Sequence, residues 1–343
     1  MSEAGLAEQE PGGSTWIWRG LPIRTLRRGP ELAPPTPAAT TSGEAVVCTL
    51  VPRVLLIHGF GASIGHWRHN IPALSRHAEV HAIDLLGFGA SAKPRSRLAD
   101  EPEQPGAVRY GFDLWAEQVV DYVSGPMVAH QGSDHEPAGP VHLVGNSIGG
   151  VVALNAARML AQRGQAPAQV VLIDCAQRTL DRKRMGELRG LERWSRPLLP
   201  PLVRQRWLIG PLFALLARPA FIRQVLAKAY PSGAHLDDAL VELLHRPATD
   251  PGAPESFRGF VNLFDDRLAP DLLAGLSLPV RMIWGGADPW EDPNEARRWA
   301  ASYPCIRELV VLEGLGHCPH DEGPELVNPL LLEWICPEAA QAP

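Results

Sequence analysis

Short runs of β-branched residues alternate with longer segments that suit helices, and this alternation limits the fold more than any other feature of the chain. The predicted strands, each ending in or near a Gly or an Asp, cover residues 51–57, 79–83, 141–144, 170–173, 280–284 and 307–312. The segments that suit helices cover residues 64–76, 112–123, 148–161, 294–302 and 324–335. Such alternation predicts an α/β protein with a mostly parallel central sheet and helices on both faces.

The alternation lapses between residues 177 and 271, where leucine, arginine and proline are frequent and helical stretches replace the strands. We interpret this segment as a helical cap, inserted between the sixth and seventh strands of one domain. The core of that domain then comprises residues 14–176, which begin with a hairpin, and residues 272–337. Outside the core and cap we expect a disordered leader at 1–13, a flexible Pro/Thr/Ala-rich loop at 31–45 and a tail at 338–343.

Composition excludes several classes of protein. The formal net charge of −6 argues against a nucleic-acid binder. No stretch approaches the roughly 20 apolar residues of a membrane-spanning helix, and the first residues lack the apolar segment of a secretory signal. Five widely spaced cysteines without a CxxC pair indicate reduced thiols. We therefore expect a cytoplasmic protein that can touch a membrane but does not cross one.

The segment Gly145-Asn146-Ser147-Ile148-Gly149 matches the pattern G-x-S-x-G, and it lies between a predicted strand and a predicted helix. Glycines on both sides let the strand and the helix approach closely, while the serine takes a strained conformation that exposes its hydroxyl. The alternative is a serine that merely caps the helix. We assign Ser147 as a nucleophile because the motif stands in the context that it requires.

A serine hydroxyl is a weak nucleophile at neutral pH and needs a base. In the order Ser…Asp…His, the base follows the last strand, where the chain has His317 in "EGLGHCPHDEG". His320, further along the same loop, is the alternative base. The loop also carries Cys318, Asp321 and Glu322, but we predict no metal site because ligands usually come from more than one element.

A carboxylate must orient the imidazole and stabilise its charged form. Asp288 follows the strand at 280–284 and is the predicted acid. Asp174, at the end of another strand, is the main alternative. Glu291 and Asp292 are nearby competitors.

The negative charge that develops on the substrate oxygen needs hydrogen-bond donors. "HGFG" at 58–61 follows the strand at 51–57, and we predict that the backbone N–H groups of Phe60 and Ile148 form the oxyanion hole. Gly61 is the next candidate donor. We interpret His58 as a residue that braces this loop.

With these residues in place, the chain resembles the α/β-hydrolase superfamily over most of residues 50–175 and 278–336. Haloalkane dehalogenases and epoxide hydrolases share that fold but carry an aspartate nucleophile, whereas this chain has Ser147. "GADPWE" and "GHCPHDEGPELVNPLLLEW" resemble more narrowly the pheophytinase-like branch of plants and cyanobacteria, which includes chlorophyll dephytylases. The resemblance implies hydrolysis of the phytyl ester of a chlorophyll-type pigment by a triad of Ser147, Asp288 and His317. It also implies that the membrane touched is a thylakoid membrane. That branch places a proline directly after the glutamate, but Asp292 intervenes here.

We therefore expect an α/β-hydrolase fold and a serine hydrolase that cleaves carboxylic esters through an acyl-enzyme, without metal or organic cofactor. Its substrate is expected to be a small-molecule or lipid-like ester. Burying a hydrocarbon tail releases roughly 0.8 kcal/mol per CH₂, so "WLIGPLFALLARPAFI" can line a tunnel for such a tail, although it also suits an ordinary cap core. The alternatives are a generic carboxylesterase, a non-catalytic ligand receptor and a lyase that uses the same triad. The oligomeric state is left open.

Overall fold

The computed structural model describes residues 13–30, 50–129, 139–179, 181–187 and 199–337. The predicted loop at 31–45 and tail at 338–343 lie outside the described residues. So does the predicted leader, except for Gly13, which begins the first strand. The domain limits at residues 176 and 271 stay predictions.

Ten strands are described, eight of them in one sheet with the order β1-β2-β4-β3-β7-β8-β9-β10. Those in the sheet are β1 (Gly13–Trp18), β2 (Leu21–Arg28), β3 (Arg53–Ile57), β4 (Glu79–Ile83), β7 (Val141–Asn146), β8 (Gln169–Ile173), β9 (Val280–Gly285) and β10 (Ile306–Leu312). β1 and β2 form an antiparallel hairpin, β2 pairs antiparallel with β4, and every other pair is parallel. β5 (Arg95–Ser96) and β6 (Ala107–Val108) form a separate short pair. The predicted mostly parallel sheet is confirmed.

Helices cover both faces of this sheet. They are α1 (Ile71–Leu74), α2 (Phe112–Ser124), α3 (Pro126–Ala129), α4 (Ile148–Gln162), α5 (Leu199–Val203), α6 (Arg206–Leu216), α7 (Pro219–Ala229), α8 (Asp238–Ala248), α9 (Ala253–Val261), α10 (Ala269–Leu273), α11 (Pro293–Ser302), α12 (Pro319–Glu322) and α13 (Pro324–Ile335). Two 3₁₀ helices lie at Ile64–Trp67 and Arg182–Glu187.

The central strands are apolar on both sides because they are covered on both sides. In β3, Leu55 and Ile57 pack into one hydrophobic core, while Val54 and Leu56 pack into the core on the opposite face. All four side chains are fully buried. The sheet is thus a rigid layer that fixes the positions of the loops at its carboxyl edge.

The segment at 64–76, which suits a helix, does not form one continuous helix. A 3₁₀ turn at Ile64–Trp67 and the single turn α1 replace it. Pro72 lies in the first turn of α1, where its missing N–H costs nothing, whereas inside a longer helix it would remove a hydrogen bond.

Helices α5–α9 form the insertion between β8 and β9, where the cap is predicted. Helix α10 follows them, but its Leu272 and Leu273 pack into the main core. No single helix among the described residues is long and apolar enough to span a bilayer, and α6 and α7 reach that length only together, across a bend of 71°.

Candidate active site

Ser147 lies at the sharp turn between β7 and α4, with φ of 54° and ψ of −122°. This φ is rare for a residue with a side chain and is found where the surroundings impose it. A Cβ on Gly145 would overlap the carbonyl of Gly149, and one on Gly149 would overlap the carbonyl of Ile57. The two glycines therefore allow the close crossing of strand and helix that forces the serine into this conformation.

Neighbouring backbone holds the turn in place. The Ser147 N–H donates to the carbonyl of Ile173 at 2.9 Å, and the Ser147 carbonyl accepts from the Ala176 N–H at 3.1 Å. Both partners belong to the end of β8 or the loop that follows it. The strained serine is thus anchored to the next strand of the sheet rather than left to relax.

His317 and Asp288 form a hydrogen-bonded pair after the last two strands. His317 Nδ1 lies 2.8 Å from Asp288 Oδ2, and the Asp288 side chain has no exposed surface. Asp288 Oδ1 accepts from the N–H groups of Trp290 at 2.8 Å and Glu291 at 3.2 Å. An ionised carboxylate can only accept, so His317 carries its proton on Nδ1 and leaves Nε2 unprotonated, as a general base requires.

Opposing effects set the basicity of His317. Burial alone would lower the pKa of the imidazole, but the hydrogen bond and charge of Asp288, helped by the charge of Glu291, raise that pKa above its usual value. The Trp290 ring packs edge-on against the imidazole with 5.0 Å between ring centroids. A more basic histidine takes a proton from a hydroxyl more readily.

Asn146 joins the histidine loop to the serine turn. Its side-chain Nδ2 donates to the carbonyl of His317 and to the carbonyl of Ile173, both at 3.2 Å. Because Asn146 directly precedes Ser147, these bonds bring the ends of β7, β8 and β10 together at one edge of the sheet. The sequence identified the serine and the histidine but gave no signal for this linking role of Asn146.

Asp174, the alternative acid, is completely buried and also has a positive φ of 42°. Its Oδ1 accepts from the Gly285 N–H at 2.9 Å, while its Oδ2 has no hydrogen-bond partner among the described residues. Burial, and then the charge of Asp288, raise the pKa of Asp174 well above its usual value. These effects favour the neutral form of Asp174, and the structure pairs His317 with Asp288 instead.

The other competing residues have separate partners. Glu291 accepts from the Gln177 N–H at 2.7 Å, and burial raises its pKa to about 7. Asp292 caps helix α11 by accepting from the Asn294 N–H at 2.9 Å. His320 is buried against Trp67, with 4.4 Å between ring centroids, and neither of its ring nitrogens has a hydrogen-bond partner in the described ranges. None of the three contacts the His317 imidazole through a hydrogen bond among the described residues.

The acidic residues of the same loop hold the cap to the core. Asp321 accepts from Arg68 at 2.8 Å and from the hydroxyl of Tyr230 at 2.9 Å. Glu322 accepts from the Ser232 N–H at 2.9 Å and from the Gly316 N–H at 2.6 Å. Their oxygens therefore serve as structural acceptors.

The predicted oxyanion loop lies against the serine. A Cβ on Gly59 would lie 3.2 Å from the Ser147 Cβ. Within the described ranges, the backbone N–H groups of Phe60, Gly61 and Ile148 donate no hydrogen bond. The N–H of Ile148, which directly follows Ser147, and those of the two loop residues are thus free to donate, which is what an oxyanion hole needs.

His58 fixes that loop, as the sequence predicts. Its Nε2 accepts from the Leu85 N–H at 3.0 Å, so its proton lies on Nδ1 and is donated to the carbonyl of Gly59 at 2.7 Å. Burial lowers the pKa of His58 to about 4 and keeps it neutral. It is thereby unavailable as a second base.

A cavity of about 250 Å³ opens beside the oxyanion loop, between the core and the cap. Phe60 and Gly61 line it from the core, and Phe213 of α6 and Val225 of α7 line it from the cap. Apart from Lys93 and Ser256, every residue along its wall is apolar or a glycine. The predicted oxyanion loop thus borders an apolar chamber, whose wall includes neither Ser147 nor His317.

Comparisons with known proteins identify the family of this chain. A model of the alpha/beta hydrolase family matches residues 54–330. The (lyso)-N-acylphosphatidylethanolamine lipase of Mus musculus is 25% identical over 300 residues, which cover 82% of this chain and 78% of that protein. The chloroplastic pheophytinase of Arabidopsis thaliana is 26% identical over 325 residues, 83% of this chain and 61% of that protein, and confirms the predicted resemblance.

Solved structures show the same fold. The crystal structure of CarC, a serine hydrolase involved in carbazole degradation, superposes with a TM-score of 0.64 at 18% identity. That superposition covers 94% of this chain and 97% of the CarC chain. The family match spans most of the sequence, and so this chain belongs to the alpha/beta hydrolase family.

Proposed function

We propose that the chain is a serine hydrolase that cleaves carboxylic esters, with Ser147, His317 and Asp288 as its catalytic triad. The observation that carries this proposal is the 2.8 Å bond between His317 and Asp288, on a loop that Asn146 ties to the serine turn. Family membership and the lipase and pheophytinase relatives support hydrolysis as the reaction.

In the proposed reaction, the Ser147 hydroxyl attacks the acyl carbon while His317 Nε2 takes its proton. The N–H groups of Phe60 and Ile148 bind the tetrahedral oxyanion. His317 then protonates the departing alcohol, which leaves an acyl-enzyme. Water repeats the sequence and releases the acid, with Asp288 holding the imidazole throughout.

The apolar cavity supports an ester with a long hydrocarbon chain as the substrate class. Phe60 belongs both to the oxyanion loop and to the cavity wall, so a chain in the cavity would extend directly from the reacting carbonyl. The phytyl ester of pheophytin or chlorophyll is the specific substrate that we propose within this class, and the Arabidopsis thaliana relative supports it. A generic carboxylesterase would show no preference for that pigment.

One experiment tests reaction and substrate together. Purified protein and Ser147→Ala are incubated with pheophytin, chlorophyll and a series of p-nitrophenyl esters, and phytol and p-nitrophenol are measured. We expect multiple turnovers, phytol release and complete dependence on Ser147. Rapid cleavage of short esters without phytol release would exclude the pigment as the substrate. Absence of turnover on every ester would contradict the proposal that the protein is an ester hydrolase. Labelled oxygen from water in the acid product separates hydrolysis from lyase chemistry.

A further inference from the structure

Helix α6 is apolar on two opposite faces. Phe213 and Leu216 line the cavity from its inner face. On the outer side, Trp207 is 74% exposed and Leu215 is 50% exposed. A surface helix of a globular protein normally exposes polar residues, so an outer apolar face calls for a partner that is itself apolar.

The exposed residues of α6 form one stripe. Trp207, Pro211, Ala214 and Leu215 are spaced four, three and one residue apart, which places them along one side of a helix, and all four are exposed. Leu202, at the preceding turn, is 53% exposed and extends the apolar surface. We call these five residues the outer cap face.

The cavity wall reaches the surface on the helix that follows α6. Phe221 and Val225 of this helix, α7, line the cavity and are each 36% exposed to solvent. The cavity is therefore open to solvent at a helix close in sequence to the outer cap face.

The charged residues of this part of the cap indicate which partner the outer cap face binds. Residues 199–229 contain Arg204, Arg206, Arg218, Arg223 and Lys228 but no Asp or Glu, although the whole chain carries a net charge of −6. Arg204, Arg206 and Arg223 pair with acidic side chains of neighbouring segments. Arg218 and Lys228 are exposed and form no ion pair in the described part of the chain. An apolar face in the same segment as these two cations complements an anionic lipid surface.

We propose that the outer cap face docks on an anionic phospholipid membrane, with Trp207 and Leu215 inserted among the lipids and Arg218 and Lys228 at the headgroups. This places the cavity opening at the bilayer, from which a lipid-phase ester enters. Tryptophan suits this position because its ring is apolar while its N–H can reach polar headgroups.

The test compares the wild type with Trp207→Glu/Leu215→Glu in flotation with vesicles. The vesicles are pure phosphatidylcholine or an equal mixture of phosphatidylcholine and phosphatidylglycerol. Ile17→Glu is the matched control, because Ile17 is 62% exposed on the β1 hairpin, outside the cap. Arg218→Gln/Lys228→Gln tests the charges alone. Hydrolysis of a water-soluble p-nitrophenyl ester is measured for every variant, since neither Trp207 nor Leu215 lines the cavity.

We expect the wild type and Ile17→Glu to float with the anionic vesicles. The affinity of the Trp207/Leu215 variant for these vesicles should be lower by roughly tenfold or more. Membrane affinity rises with the apolar area buried and with attraction to anionic lipids, and the two glutamates reduce both. Removing the two cations should abolish the preference for phosphatidylglycerol, and soluble-ester activity should stay unchanged.

Three results would overturn the proposal. The first is that the wild type fails to float with the vesicles, and the second is that the Trp207/Leu215 variant binds them as well as Ile17→Glu does. The third is that sedimentation shows the wild type to be a dimer, which the double substitution separates into monomers. The proposed function would fail separately, through absence of soluble-ester hydrolysis in all variants.

Discussion

Asp174 and Asp288 each place a carboxylate oxygen within the same 4.8 Å cluster as a ring nitrogen of His317, yet only Asp288 hydrogen-bonds to the imidazole. Two carboxylates so close together cannot both ionise readily. Burial raises the pKa of Asp174. Burial alone would also raise the pKa of Asp288, but its bonds to His317 and neighbouring groups lower that pKa. The pKa values of the two neighbouring carboxyl groups are thus shifted in opposite directions.

This difference predicts unequal effects of the same substitution. Asp288→Asn should reduce kcat by about 10⁴-fold, the size known for such a change in a Ser-His-Asp triad, because the imidazole loses its orientation and charge partner. Asp174→Asn should change kcat only roughly a few-fold, because Asp174 makes no hydrogen bond to the imidazole and its raised pKa favours the neutral form, which an amide resembles. Steady-state rates on a p-nitrophenyl ester decide the matter. The reverse order of effects would make Asp174 the catalytic acid.

The pH dependence should report the His317–Asp288 pair. Only neutral His317 can act as a base, so activity should fall as the pH drops below its raised pKa. Removing the negative charge in Asp288→Asn lowers that pKa, and the acidic limb of log kcat/KM should move by roughly 1 unit or more toward lower pH. Asp292→Asn, which alters a helix cap, is the control and should leave the limb in place. A limb that does not move in Asp288→Asn would assign it to another group.

The serine turn should depend on Gly149 for stability as well as for activity. In Gly149→Ala the new methyl group would overlap the backbone carbonyls of Ile57 and His58, so we expect the free energy of unfolding to fall by about 1–3 kcal/mol or more. Gly210→Ala is the matched control: it lies in helix α6 with open space around the position. It should gain roughly 0.5–1 kcal/mol, because alanine suits a helix better than glycine. Denaturant titrations that show equal stability for the two variants would contradict the close crossing.

Filling the cavity should change the preferred chain length. Ala217 lies on the cavity wall, so Ala217→Trp should lower kcat/KM for long-chain p-nitrophenyl esters by about tenfold, the effect of roughly 1.4 kcal/mol of lost binding. Acetyl esters should be hydrolysed at nearly the wild-type rate. Ala220→Trp, an exposed cap position outside the cavity wall, controls for the added bulk. Equal losses on short and long esters would argue that the cavity does not hold the chain.

The sequence predicted the sheet because its strands are apolar on both faces and end at glycine or aspartate. It predicted the position of Ser147 because only glycines permit such a turn, and both glycines, Gly145 and Gly149, lie within two residues of the serine. The segment at 64–76 shows the opposite case. Its pattern suits a helix, but it contains Pro72, and a separate short helix begins there.

Relationships between distant segments could not be predicted. The link from Asn146 to His317 joins residues 171 positions apart, and the raised pKa of Asp174 depends on burial and on Asp288, which follows another strand. The cavity likewise combines two core loops with four cap helices. The spacing of residues along the chain does not show which segments pack together. Asp174 and Asp288 could therefore be distinguished only once the positions of the strands were known.

The most direct test of the central claim is covalent labelling of the nucleophile. Purified protein is treated with a fluorophosphonate, and peptides are examined by mass spectrometry while ester hydrolysis is followed. We expect one adduct, on Ser147, that forms in step with loss of activity, and we expect Ser147→Ala to remain folded and unlabelled with activity reduced on the order of 10⁴–10⁶-fold. Labelling at another residue, or full activity in Ser147→Ala, would contradict the account.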